Sequence, residues 1–155
     1  MHLHKFEKIW LVFGIIALVV FLGVVGITAF SHDHTPSGGM DTIDPEQVSV
    51  TAPFDNPGVH QLDDDTYEAV IIAKAFAYEA AELRVPVGKE IIFKVTSTDV
   101  VHSFTIDNTK VNMMVIPGQI TTRKYTFSEP GTYLILCNEY CGTGHHFMYS
   151  EIEVY

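Results

Sequence analysis

The chain has 155 residues, room for one ordinary domain. It carries 19 acidic against 9 basic side chains, and a formal net charge of −10 excludes the basic footprint that nucleic-acid binding needs. No internal repeat or low-complexity tract interrupts it.

Residues 9–30 run 22 positions without a charge, long enough to cross a hydrocarbon core as a helix. A cleaved signal peptide is the competing reading, but its apolar region typically spans about 7–15 residues before a small-residue cleavage site. Here the run is longer, and Thr28-Ala29-Phe30-Ser31 is a poor cleavage signal, which favours a retained anchor. Lys5 and Lys8 precede it, and no Lys or Arg follows until Lys74, so the positive-inside rule puts residues 1–8 in the cytoplasm and the rest outside a cell membrane. Trp10 stands at the cytoplasmic edge, where an interfacial indole is expected. The exported part holds 18 acidic and 7 basic side chains, a surface suited to steering a basic protein partner or simply to solubility.

Residues 31–62 read as a linker. Pro36, Pro45, Pro53 and Pro57 fall there with Gly38, Gly39 and Gly58, and such weakly apolar sequence is expected to lie over the surfaces of partners. His32, His34 and His60 are scattered through it without a clustered donor set, and no metal is assigned to them. Residues 63–155 change character to short β-type runs with turn punctuation: 68–76, 83–87, 90–96, 103–106, 112–116, 121–127, 132–136 and 149–154. Val87-Gly88-Lys89, Pro117-Gly118 and Glu129-Pro130-Gly131 supply turns. Eight strands without helical crossovers predict an all-β, antiparallel Greek-key sandwich or barrel behind the single N-terminal helix.

The chemistry is concentrated near the C-terminus. Cys137, Cys141, His145 and Met148 fall within twelve positions, and His102 lies 35 residues before the first cysteine. Thiolate, imidazole and thioether form the soft-to-borderline donor set that favours copper over magnesium or calcium. A mononuclear blue-copper site needs one Cys, two His and a weak axial donor, which would leave one of these cysteines over. Two coppers bridged by both sulfurs, each with one His and one weak axial ligand, use the whole set; Met148 and a main-chain carbonyl between the cysteines are candidates for the weak ligands. A structural disulfide between Cys137 and Cys141 is permitted on the exported side. It would close so short a loop that it constrains the unfolded chain little, and it does not account for the His and Met that follow.

The pattern H…C-x-E-x-C-x3-H-x2-M, carried by His102, Cys137, Glu139, Cys141, His145 and Met148, resembles the binuclear copper (CuA) centre of subunit II of haem–copper cytochrome c oxidases. Ala75-Phe76-Ala77-Tyr78, Ser97-Thr98-Asp99-Val100-Val101-His102, Val115-Ile116-Pro117-Gly118 and Glu129-Pro130-Gly131-Thr132-Tyr133 extend the likeness to the short, single-anchor form of ba3-type bacterial oxidases. The resemblance implies a cupredoxin-like fold, two copper ions held by those six residues, and a Glu139 that binds through its main-chain oxygen. It implies the electron-entry subunit of a respiratory terminal oxidase: electrons arrive from cytochrome c or a blue-copper donor and pass to haem in subunit I, where oxygen is reduced to water. Larger relatives also bind magnesium through the side chain at position 139. Here Met114 replaces the neighbouring carboxylate of their Asp-Ala-Ile-Pro-Gly motif, and no magnesium is assigned. A membrane-anchored mononuclear cupredoxin or copper carrier, and an electron-entry chain for a nitric-oxide-reducing relative, are the alternatives. His146 is left out of the ligand set, Met113 and Met114 are assigned to packing, and Phe76 and Tyr78 to an apolar docking patch or the core.

Overall fold

The computed structural model describes residues 4–31 and 41–155, so His32 and His34 lie outside the described residues. A single helix, α1 (Lys5–Ser31), carries the apolar run; none of its residues is buried. Its 27 residues span about 40 Å, long and apolar enough to cross a membrane. Within it the Thr28 hydroxyl donates back to the Val24 and Val25 carbonyls. The β-rich part is a separate compact unit.

Among the described residues, ten strands build that unit: β1 (Gly58–Gln61), β2 (Thr66–Lys74), β3 (Ala77–Glu79), β4 (Arg84–Val85), β5 (Glu90–Ser97), β6 (His102–Ile106), β7 (Asn112–Val115), β8 (Thr121–Thr126), β9 (Gly131–Leu136) and β10 (Tyr149–Val154). One sheet has the order β1-β2-β5-β8, with β3 also on β2; the other runs β4-β10-β9-β6-β7. Between them lies the core, rich in Phe93, Phe104, Phe127, Ile71, Ile91, Ile106, Met113, Ile135 and Ile152. This is the expected cupredoxin-like sandwich, with two departures from the sequence reading. The first is that the pairing is not purely antiparallel: β2 pairs with β5, and β4 with β10, in parallel. The cause is connectivity: between β2 and β5 the chain visits the other sheet as β4, and the return leaves β5 running the same way as β2.

The second departure concerns the stretch expected as linker. Ile43, Val48 and Phe54 are buried against Val70, Ile72 and the partly buried Ile120, forming a small second core on the outer face of β2. Residues 41–43 are tied by Ile43 N–H to the Gly118 carbonyl at 3.2 Å and by Ile120 N–H to the Asp41 carbonyl at 2.9 Å. Further on, β1 pairs with β2 from Gly58↔Val70 to Gln61↔Tyr67. Strand β2 is therefore covered on both faces, which explains why Ala69-Val70-Ile71-Ile72-Ala73 is continuously apolar rather than alternating. Ala69, Ile71 and Ala73 enter the main core, while Val70 and Ile72 meet the segment outside it.

Candidate metal centre

The donors meet at one end of the sandwich because three elements terminate there. Strand β9 ends at Leu136, delivering Cys137; β6 begins at His102; and a 3-10 turn (His145–Phe147) leads into β10. Strands β6 and β9 are direct neighbours through Thr105↔Leu136 and Ile106↔Ile135, which brings the start of β6 at His102 near the end of β9 at Cys137.

A ring nitrogen of His102 and the sulfurs of Cys137 and Cys141 all lie within 4.8 Å of one another, and the three residues are buried. The His102 Nδ1 is 4.0 Å from Cys137 Sγ, and the main-chain oxygen of Glu139 is 3.2 Å from the same sulfur. Around Cys141 Sγ stand His145 Nδ1 at 3.5 Å and Met148 Sδ at 3.6 Å. All six residues singled out in the sequence are thus gathered, and the two thiols are free rather than bridged. His146 is exposed and its ring lies tilted against Phe147 at 3.9 Å between centroids, while Met113 is core and Met114 is at the surface.

The surroundings fix the donors. Asp99, quoted in the motif but given no role there, accepts from His102 Nε2 at 2.8 Å, which leaves Nδ1 as the free lone pair facing the sulfurs. Burial pushes the Asp99 carboxyl up, yet the His102 ring and the Val100 and Ala75 amides outweigh it and hold the group below its ordinary value. The carboxylate is therefore charged when it orients the imidazole. Burial raises the Cys141 thiol, helped by the neighbouring Cys137 sulfur. Burial also lifts the Tyr78 hydroxyl far above its usual value, again with Cys137 close by, and that hydroxyl donates to the Ser103 carbonyl at 2.5 Å. Asn138 is a latch on the first cysteine: its N–H donates to Ser103 Oγ at 2.6 Å, while its side-chain oxygen accepts from Ser103 Oγ and from Thr105 Oγ1. Only the Asp-to-His spacing of three residues signalled any of this in the sequence; the Asn138 and Tyr78 contacts depend on which strands become neighbours.

The donor set fits copper. Two sulfurs within reach of one imidazole at one end and of a second imidazole and a thioether at the other are the ligands that soft and borderline metals select. As free thiols, both sulfurs are available to a metal.

Comparison with known proteins agrees. The sequence model of the family described as cytochrome c oxidase subunit II, periplasmic domain, matches residues 68–154. A cytochrome c oxidase subunit 2 of Thermus thermophilus is 39% identical over 153 residues, covering 96% of this chain and 91% of that one. A second Thermus thermophilus sequence of the same name is 41% identical over 121 residues, covering 77% and 90%. Among solved structures, a chain from a heme-copper terminal oxidase dimer studied by cryo-EM superposes with a TM-score of 0.77 at 30% identity, covering 97% of this chain and all of that one.

Proposed function

The chain belongs to the cytochrome c oxidase subunit II family, and we propose that within it this protein binds two copper ions through His102, Cys137, the Glu139 main-chain oxygen, Cys141, His145 and Met148. It is the electron-entry subunit of a haem–copper oxidase, an oxidoreductase complex. The observation that carries the binuclear reading is a pair of buried, uncrosslinked thiols, each with its own imidazole. One copper would leave a thiol over; two use every donor. When bound, the copper pair supplies a one-electron carrier.

The chain's own residues supply the rest. Cys137 and Cys141 would hold the metals through their sulfurs, His102 and His145 would each supply an imidazole nitrogen, and Met148 with the Glu139 main-chain oxygen would be weak ligands that tune rather than hold. Asp99 fixes the tautomer of His102. His102 and Met148 are almost wholly shielded, which keeps water from that part of the site, while His145 is partly exposed. Rigid strand ends on either side keep the donors in place through oxidation and reduction.

Electrons arrive from cytochrome c or a blue-copper protein outside the membrane and leave to haem in subunit I, where oxygen is reduced. The acidic excess of the residues after α1 and the exposed Val100, Val101 and Phe76 beside the site support a basic donor that meets an apolar contact. Lys5 and Lys8 before the apolar helix support residues 1–8 in the cytoplasm, a span over 9–30, a connection from 31 and a copper domain on the outer face, completed by residues 63–155.

The test is copper stoichiometry and electron paramagnetic resonance on the full chain in detergent. We expect two coppers per chain and one unpaired electron shared over both. One copper with a blue mononuclear spectrum would make the protein a cupredoxin or carrier instead.

A further inference from the structure

Strands β2 and β3 are joined by only two residues, Ala75 and Phe76, between the register partners Lys74 and Ala77. Phe76 has φ of 71°, a left-handed conformation that is an outlier for a bulky side chain. Such strain persists only where the surroundings over-determine it. Two contacts do so. The Ala75 N–H donates to Asp99 Oδ2 at 2.5 Å, and the other oxygen of that carboxylate holds the His102 ring. The Phe76 ring lies under the loop after Cys141, so close that a Cβ on Gly144 would fall 2.6 Å from its Cγ and one on Gly142 3.2 Å from its Cε1. Gly142 needs glycine for its φ of 128° as well, but Gly144 has an ordinary φ of −95°. The Phe76 ring, not the backbone, is what excludes a side chain at 144.

We propose that the Ala75–Phe76 turn is a positioning element of the metal centre: the Ala75 N–H holds the carboxylate that orients His102, and the Phe76 ring sets the height of the Cys141–His145 loop. The inference rests on the copper reading of those donors. Phe76 is 38% exposed, so it is not ordinary core filler; its ring covers backbone at the rim of the site.

The test is a double-mutant cycle on the full chain in detergent, with Phe76→Gly, Gly144→Ala, the double variant, and Phe76→Tyr as the conservative control. Gly144→Ala alone should lower the thermal midpoint of the metal-free protein and speed copper loss to a chelator by about 10–100-fold. In the Phe76→Gly background the same change should cost almost nothing. Phe76→Gly alone should alter the reduction potential and hasten alkylation of Cys141 in the metal-free protein, while Phe76→Tyr stays at wild-type values. If Gly144→Ala alone does not fold, recovery of folding in the double variant supports the proposal, and failure of both overturns it. Equal effects of Gly144→Ala in both backgrounds would overturn it too, as would an unchanged potential and alkylation rate in Phe76→Gly. The copper reading fails separately, on the wild-type stoichiometry and spectrum. The midpoints and alkylation rates of the metal-free variants judge the turn in either case.

Discussion

Asp99 does for His102 what no ligand can do for itself. The His102 ring is fully buried, and its Nε2–H would lose its hydrogen-bond acceptor without the carboxylate. Asp99→Ala should therefore weaken copper binding by about 10–100-fold, read by competition with a chelator, whereas Asp99→Asn keeps an accepting oxygen and should lose less. An unchanged affinity in Asp99→Ala would mean that the tautomer is fixed elsewhere. The ligands themselves should separate by chemistry. Cys137→Ser or Cys141→Ser should abolish the shared-electron spectrum, because a hydroxyl cannot replace a bridging thiolate, while Met148→Leu should retain copper and raise the potential. Mild, equal effects from all three changes would contradict those roles. The donors were legible in the sequence because their chemistry is carried by residue type and spacing. The φ of Phe76 was not: it follows from a two-residue link whose length only the strand ends define. The reason for Gly144 was hidden with it.

Among the elements, β2 shows where sequence periodicity misleads. Its unbroken apolar run is correct for a strand buried on both faces, but what covers the outer face was invisible. Ile43, Val48 and Phe54 are spaced irregularly among prolines, so no helical or strand period marks them, and β1 has a single large apolar residue in Gly58-Val59-His60-Gln61. Pairing of β1 is decided by the free edge of β2, which is tertiary information. The consequence is measurable. Phe54 is buried to 1% exposure, and Phe54→Ala should destabilise the β-rich unit by about 3–5 kcal/mol in denaturant unfolding. A loss below about 1 kcal/mol would show that residues 41–54 merely lie on β2 rather than complete it. The eight strands read from the sequence correspond to β2 and β4–β10, with β4 shortened to Arg84–Val85; the short β1 and β3 went unseen because each is defined by its partner.

At the scale of the whole molecule, the acidic excess and the site's rim divide the work of donor binding between rate and contact. Eighteen acidic against seven basic side chains follow the apolar helix, and exposed charge acts over a Debye length of about 10 Å at 0.1 M salt. A basic donor should therefore deliver electrons faster at low ionic strength, with the rate falling as salt rises. What remains at high salt should depend on apolar contact beside His102, where Val100 and Val101 are exposed and carry no structural duty comparable to that of Phe76. Replacing both by Ser should lower the high-salt electron-transfer rate about three- to tenfold, the loss expected from one or two poorly replaced apolar contacts, and should leave the salt slope unchanged. Stopped-flow reduction of the copper-loaded chain across a salt series measures both quantities. A wild-type rate that is flat with salt would leave the acidic surface a role in solubility alone. A high-salt rate indifferent to the Val100 and Val101 changes would move the docking contact to the exposed aromatic side chains of the metal loop, Tyr140, His146 and Phe147, and the same series repeated on Tyr140→Ser and Phe147→Ser would locate it.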